Sequence, residues 1–148
     1  MIKVLEKILV GLMAMLVLDV LWGVTTRYLF NLQASWTEEL ARFLMIWIAL
    51  LGAAYASAKK LHLSIPLIFN KLNTNTKKWL ETFISGMVIF FAFAVMVVGG
   101  VELMMLTNLL GQLSPALRLP MWMVYSIIPM SGVLTIVFMI KNTMELWK

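Results

Sequence analysis

Residues 35–58 read SWTEELARFLMIWIALLGAAYASA, and this stretch decides the fold class. After Arg42 it continues to its last residue without a charged side chain. A run of this length suits a helix that crosses the hydrocarbon core of a bilayer, which takes about 20 residues. Ser35 followed by Glu38 has the spacing of a capping box, which favours a helix start at this point. The stretch therefore predicts a transmembrane helix over approximately residues 36–58.

The composition of the whole chain agrees with a membrane environment. Of the 148 residues, 62% are hydrophobic and 13% are charged, and the mean hydropathy is +0.94. These values lie outside the usual range of water-soluble domains. Three further apolar runs have the length of a span. The sequence predicts an all-α integral membrane protein, a single domain with four transmembrane helices at approximately 8–29, 36–58, 79–108 and 120–140.

Two of the predicted spans contain residues that disturb a regular helix. The third is longer than a perpendicular span needs, so we expect a tilt or a bend near Gly99 and Gly100. In the fourth, Pro129 has no N–H group to bond the carbonyl of Tyr125, and we expect a kink there.

The basic residues and the tryptophans predict the orientation of the chain. Nine of the 12 Lys and Arg residues lie in the two chain ends and in the loop between the second and third spans. Under the positive-inside rule, both termini and this central loop are cytoplasmic. Trp36 then falls at the outer membrane boundary. We expect Trp79, Trp122 and Trp147 to act as interfacial anchors, Trp122 at the outer boundary and the other two at the inner one.

The central loop shows an amphipathic pattern. Ile65, Phe69 and Leu72 share one helical face, and Pro66 suits the first turn of a helix. This pattern predicts a short amphipathic helix over about residues 64–73 that lies on the cytoplasmic membrane surface. We interpret it as a brace on the lipid rather than as a docking site for a cytosolic partner.

Ionisable residues inside the predicted spans are candidates for a structural or functional role, because such groups are costly in lipid unless they are paired. Asp19 lies about 12 Å below the outer end of the first helix, and Arg42 lies about 9 Å below the start of the second. These similar depths predict an ion pair between Asp19 and Arg42, with Glu39 as a second partner of Arg42. We interpret the pair as a structural link; the alternative is a proton or cation relay at Asp19.

The sequence offers no catalytic constellation. It contains no cysteine, and His62 is its only histidine, which excludes thiolate chemistry and a Ser–His pair at membrane depth. The basic residues are too dispersed for a nucleic-acid interface. The repeated halves with broken helices that are typical of secondary transporters are also missing. We expect no enzyme, no metal site and no cofactor, but a subunit accessory to a larger membrane protein.

Several motifs resemble one known family in their order and spacing. They are RYLF at 27–30, SWTEELAR at 35–42, Trp47, GAA at 52–54, His62 and, further along, Leu119, Pro120, Tyr125 and Pro129. Together they resemble the small membrane subunit, the Q subunit of the DctQ and SiaQ type, of TRAP (tripartite ATP-independent periplasmic) transporters. The resemblance covers essentially the whole chain, and SWTEELAR is its most specific part.

The resemblance implies a complex in the bacterial inner membrane. Its large membrane subunit would import an organic anion of the C4-dicarboxylate or sialic-acid class with sodium ions, and a periplasmic binding protein would deliver that anion. The small subunit would act as a scaffold within membrane lipid, so sodium coupling is expected in the large subunit. The chain ends at Lys148, soon after the fourth span, and is expected to be the unfused form. Trp36, Arg42 and Trp47 are the candidate contacts with the large subunit.

Two alternatives from other classes stay open. The first is an autonomous small channel or proton-coupled carrier, and the second is the membrane anchor of a redox enzyme.

Overall fold

The computed structural model describes residues 2–29, 34–59 and 74–147. Within these ranges the chain is helical and contains no β-strand, and four helices are long and apolar enough to cross a membrane. The predicted all-α fold with four spans is confirmed. The predicted amphipathic helix at 64–73 and His62 lie outside the described residues, and the orientation of the chain stays a prediction.

The described ranges contain α-helices and one π-helical segment. They are α1 (Ile2–Leu29), α2 (Ser35–Ala58), α3 (Thr74–Phe91), the π segment (Ala92–Gly99), α4 (Gly100–Leu109), α5 (Met121–Tyr125) and α6 (Ile127–Leu146). The third span consists of α3, the π segment and α4 without interruption, and the fourth consists of α5 and α6. The first and fourth spans extend beyond the predicted limits, because hydropathy marks only the apolar part of a helix and polar turns near Lys3 and Lys141 continue it.

The spans pack in the order first, second, fourth and third. α1 packs against α2, α2 packs against α6, and α6 packs against the π segment and α3. Only 6% of the apolar stretch of α1 is buried within the chain, compared with 39% of the fourth span. α1 therefore lies at the edge of the bundle, while α6 lies at its centre.

A small apolar core joins the first, second and fourth spans. Leu5 of α1, Leu51 and Ala58 of α2, and Ile127 and Phe138 of α6 are buried in one cluster. In lipid, packing contacts hold helices together, because the acyl chains are as apolar as the side chains and leave little hydrophobic driving force. The stability of this bundle therefore depends on how closely its helices fit.

The third and fourth spans approach each other most closely at two glycines. A methyl group at Gly100 would lie 2.9 Å from Cδ of Pro129, and one at Gly132 would lie 2.8 Å from Cβ of Met96. Both distances are shorter than the roughly 3.5–4.0 Å that carbon atoms prefer. The missing side chains therefore set the spacing of these spans, as small residues do in other membrane bundles.

The third span leaves α-helical geometry close to the position where we predicted a bend. Its π segment ends at Gly99, and Ala92, the first residue of that segment, is buried. The carbonyl oxygen of Ala92 lies 3.2 Å from the Cβ position of Gly132. Because π-helical turns are rare and usually short, a segment of this length at a close helix crossing marks a packing constraint. The irregular backbone and the close approach occur at the same place.

The fourth span is interrupted at Ser126, between α5 and α6. This break lies three residues before Pro129, which cannot supply the N–H group that the carbonyl of Tyr125 would receive in a regular helix. The Ser126 hydroxyl donates to the carbonyl of Met123 at 2.6 Å, and its N–H donates to the carbonyl of Trp122 at 3.0 Å. The predicted disturbance at Pro129 is therefore present as a break one turn earlier.

The predicted capping box at the start of α2 is wrong. Ser35 is already helical, and the N-cap position is occupied by Ala34, which has no side-chain cap. The Thr37 hydroxyl instead donates to the carbonyl of Ala34 at 2.8 Å. The motif was shifted by one position because the helix begins one residue earlier than the pattern indicated.

The close crossing makes a prediction about Gly132. We expect Gly132→Ala to lower the free energy of unfolding by about 1–3 kcal/mol, because the new methyl group meets Cβ of Met96 and forces the spans apart. Thermal unfolding in detergent, followed by circular dichroism, measures this change. Gly52→Ala is the matched control, because nothing lies within 4 Å of its Cβ position. Equal unfolding midpoints for the two variants would contradict the proposed tight crossing.

Candidate functional site

Polar interactions concentrate at one end of the bundle, where α1 ends, α2 begins and residues 110–120 connect α4 to α5. We call this the loop end. Oε2 of Glu39, in the first turns of α2, accepts hydrogen bonds from the backbone N–H groups of Ala116 and Leu117, both at 2.8 Å. Ser114 also hydrogen-bonds the carboxylate, and Arg42 interacts with it electrostatically. Glu39 therefore ties the second span to the loop.

The loop itself has a defined shape. The N–H of Ser114 donates to the carbonyl of Leu119 at 2.9 Å, and the N–H of Met121 donates to the carbonyl of Gln112 at 2.9 Å. Arg118 has a φ of 51°, in the left-handed region that non-glycine residues rarely adopt. Such a conformation persists only where surrounding contacts hold it, and the Glu39 carboxylate supplies contacts next to it.

Asp19 is buried in α1 facing α2, with 6% of its surface exposed. Neither of its carboxylate oxygens has a hydrogen-bond partner among the residues that the structure describes. The predicted Asp19–Arg42 ion pair is therefore not formed. The prediction matched the depths of the two residues but did not consider which face of α2 carries Arg42. Arg42 lies about 140° around the axis of α2 from Thr37, the buried residue that faces α1.

Asp19 lines a cavity of about 290 Å³ between α1 and α2. Its wall also includes Val20, Gly23 and Val24 of α1, Thr37 and Ala41 of α2, and Arg27 near the end of α1. Gly23 permits the close approach of the two helices, because a methyl group there would lie 2.9 Å from Oγ1 of Thr37. The cavity is thus a narrow cleft bordered mostly by apolar residues, and the charged residues Arg27 and Glu38 line it together with Asp19.

Trp47 makes a hydrogen bond inside the chain. Its indole N–H donates to the backbone carbonyl of Val124 at 3.2 Å, in the short helix α5 before the break at Ser126. The ring is partly buried against the apolar core and also borders an apolar cavity of about 250 Å³ that Leu12, Phe43 and Met123 help to line. Trp36 and Arg42, the other two candidate contacts with a partner, are exposed. A contact of these three residues with a partner stays a prediction.

The opposite end of the bundle carries tryptophans and lysines. The rings of Trp79 and Trp147 meet edge to face, with centroids 6.1 Å apart, and the Trp147 indole donates to Oγ1 of Thr82 at 3.1 Å. Lys3, Lys59 and Lys141, from three different spans or their ends, line one cavity there. These basic residues share one end of the bundle, as the orientation argument requires. Trp122 is partly buried near the loop end, and the anchoring role of the three tryptophans stays a prediction.

Comparison with known proteins identifies the family. A family described as "Tripartite ATP-independent periplasmic transporters, DctQ component" matches residues 15–148. This chain belongs to that family. The match includes the second half of α1 and every other element described above.

Three curated relatives show how far the DctQ-type similarity extends. The chain is 40% identical over 67 residues to the sialic acid TRAP transporter small permease protein SiaQ of Vibrio cholerae, covering 45% of this chain and 39% of that protein. It is 30% identical over 97 residues to the C4-dicarboxylate TRAP transporter small permease protein DctQ of Rhodobacter capsulatus, covering 66% and 42%. It is also 32% identical over 99 residues to the isethionate TRAP transporter permease protein DctMQ of Oleidesulfovibrio alaskensis, covering 66% and 15%.

These aligned regions span less than half of the length of the relatives. The relatives are named as transporter permeases, which are not enzymes. Four spans together with membership of a TRAP permease family make this DctQ-type chain a multi-pass protein of the bacterial inner membrane.

Sequence reasoning missed the contacts that link distant segments. Glu39 was assigned to Arg42, whereas its main partners are the backbone N–H groups of Ala116 and Leu117, which no side-chain pattern reveals. For the bond from Trp47 to Val124, the sequence contained only a weak indication. Pro129 marks a disturbed turn in the fourth span, and Trp47 lies on a neighbouring span. Only the packing order of the helices brings the two together.

The carboxylate of Glu39 predicts a graded response of the loop. Glu39→Gln weakens its hydrogen bonds to Ala116 and Leu117 by removing the charge, and Glu39→Ala removes them entirely. We expect hydrogen exchange of these two amides, measured by mass spectrometry in detergent, to be faster in Gln and fastest in Ala. Glu102→Gln removes an equal charge from an exposed position on α4 and is the control. If the two amides exchange at the same rate in Glu39→Ala as in the wild type, Glu39 does not hold the loop.

The indole of Trp47 predicts a loss of stability when its donor is removed. Trp47→Phe retains a large ring but leaves the carbonyl of Val124 without that donor, at an expected cost of about 1–2 kcal/mol in the free energy of unfolding. Trp36→Phe, at an exposed position, controls for the change in ring size. Denaturation in mixed detergent micelles compares them, and a loss no larger than that of the control would show that the bond contributes nothing.

Proposed function

We propose that this DctQ-type chain is the membrane scaffold subunit of a TRAP importer and does not carry solute itself. In this proposal a large membrane subunit moves the substrate with sodium ions, and a periplasmic binding protein delivers it. The small subunit enlarges the stationary part of the membrane complex.

The observation that carries the proposal is how the hydroxyl groups inside the bundle are used. Ser57, Thr107 and Thr135 are buried, and each donates to a backbone carbonyl one turn earlier in its own helix. Such groups are satisfied locally and are not arranged to replace the hydration shell of a solute. These buried hydroxyl groups thus form closed local bonds, and among the described residues only Asp19 has buried side-chain oxygens without a partner, which favours a scaffold over an autonomous channel or proton-coupled carrier.

The proposed substrate class is organic anions, with C4-dicarboxylates and sialic acids as the leading candidates. Its support comes from the named relatives, which are a C4-dicarboxylate, a sialic acid and an isethionate system. All three substrates carry a carboxylate or sulfonate. We assign the recognition of the anion and of the sodium ions to the large subunit and the binding protein.

The proposed contact with the binding protein is the loop end. Under the positive-inside orientation this end faces the periplasm. There the loop of residues 110–120, with Arg118 exposed, is fixed in shape by Glu39.

Reconstitution in liposomes tests the scaffold role. We expect this chain alone to give no uptake of C4-dicarboxylate or sialic acid, and the chain with its large subunit, binding protein and a sodium gradient to give uptake. Omitting this chain should abolish it, because the large subunit then lacks its stationary support. Uptake by this chain alone would establish an autonomous carrier instead. A bound quinone or haem in the purified chain would point to a redox-enzyme anchor.

A further inference from the structure

Among the described residues, Asp19 is the one acidic group whose carboxylate oxygens are both buried and unpartnered. Its side chain is 6% exposed, and neither carboxylate oxygen has a hydrogen-bond partner. A buried polar group without a partner carries the full cost of its lost hydration, and an ionised one carries more. In a membrane protein such a group usually faces a partner charge or a water-filled cavity. Asp19 therefore calls for a positively charged or hydrogen-bonding group that the described residues of this chain do not supply.

The arginines of α1 and α2 do not hydrogen-bond to Asp19. Arg42 is exposed on another face of α2 and interacts with Glu39. Arg27 borders the same cavity but lies eight residues further along α1, about 12 Å along the helix axis, and is exposed. The residues that connect α1 to α2, 30–33, read FNLQ and include no basic side chain.

The cavity beside Asp19 has the size and the surroundings for one cationic side chain. Its volume of about 290 Å³ exceeds that of a single water molecule, whose share of liquid volume is about 30 Å³. Apolar side chains such as Val20, Val24 and Ala41 border it together with the exposed Arg27 and Glu38, so that a charge pair beside Asp19 would be partly shielded from water. The cavity lies at the edge of the bundle, because α1 packs against α2 and is otherwise little buried.

The depth of Asp19 argues that the partner is itself embedded in the membrane. Asp19 lies ten residues before the end of α1, about 15 Å along the axis of a helix that is long and apolar enough to cross a membrane. A Lys or Arg side chain on a neighbouring transmembrane helix can enter at this depth, whereas a soluble cation would first have to lose its hydration in lipid.

We propose that Asp19 and the α1–α2 cavity receive a Lys or Arg side chain from a transmembrane helix of the large subunit. This inference rests on the proposed function, since it needs a membrane partner. The pair forms only on assembly, so Asp19 weakens the isolated chain and strengthens the complex. The pair gives α1, the least buried span, a contact with the large subunit that is specific for charge.

The test compares the effect of Asp19 on the stability of the isolated chain with its effect on the stability of the complex, because the two are expected to be opposite. Asp19→Asn removes the charge and preserves the shape. In the isolated chain we expect its thermal unfolding midpoint to equal or exceed that of the wild type, because an uncompensated buried carboxylate is gone. In the co-expressed complex we expect about tenfold less large subunit to co-purify with the tagged chain, because the partner cation is left unpaired. Glu102→Gln, an equal loss of charge at an exposed position of α4, should change neither result.

Two outcomes would overturn the inference. If Asp19→Asn lowers the unfolding midpoint of the isolated chain as much as Arg42→Gln does, Asp19 is paired within this chain. If the large subunit co-purifies with Asp19→Asn as well as with the wild type, Asp19 makes no contact in the complex. Failure of the wild-type chain to retain the large subunit at all would instead reject the proposed function, so the two failures are distinguishable.

A photo-crosslinking amino acid at Val20, which borders the cavity and is exposed, identifies the partner segment. We expect mass spectrometry to find it joined to a large-subunit peptide that contains Lys or Arg, whereas the same label at Met105 on α4 should not join that peptide. Exchanging the two charges, with Asp19→Arg and the partner's cation changed to Asp, should restore co-purification. A crosslinked peptide without a basic residue, or an exchange that restores nothing, refutes the pair.

An infrared difference spectrum between the wild-type and Asp19→Asn complexes at neutral pH reports the charge state directly. The proposal requires the carboxylate stretch of an ionised Asp19. The carbonyl stretch of a protonated acid would show that Asp19 is buried in neutral form and would overturn the inference.

Discussion

The constraint on which this structure depends is that polar backbone groups in lipid need partners within the protein. A proline in the fourth span deprives the carbonyl of Tyr125 of its helical donor, and two preceding carbonyls of that turn receive bonds locally and across helices. Ser126 bonds back to the turn before it, and the indole of Trp47 reaches the carbonyl of Val124 from the second span. The same requirement fixes the hydroxyl groups of the interior to their own helices. Irregular backbone is therefore found where a neighbouring helix is close enough to satisfy it.

Close approach between helices is the second feature that holds the bundle together. Gly100 and Gly132 bring the third and fourth spans together, and the π segment lies in the same region. Lipid offers little hydrophobic driving force between helices, so contacts of this kind stabilise the centre of the bundle. The first span has few of them. It is held by the second span alone over most of its length, which leaves its polar residue, Asp19, to be satisfied from outside.

Local sequence features predicted the local parts of the structure. Hydropathy located the four spans, and Pro129 located the break in the fourth, because both effects act within one turn or one helix. The pairing of Asp19 with Arg42 was wrong because hydropathy gives the depth of a residue but not its direction around the helix axis. The bonds of Glu39 to Ala116 and Leu117 were out of reach for a different reason: their donors are backbone groups, which every residue other than proline offers equally.

The tie between Glu39 and the loop has a consequence for encounters at the membrane surface. A flexible loop loses conformational freedom when another protein docks on it, and this loss weakens the association. Residues 113–120 are already held by one carboxylate and by their own backbone bonds, and Arg118 is fixed in an uncommon conformation. The entropy of ordering this surface was lost when the chain folded. A soluble protein that binds this loop therefore contacts a surface that is already rigid. Its dissociation rate then depends on the strength of the contacts and not on the cost of ordering the loop.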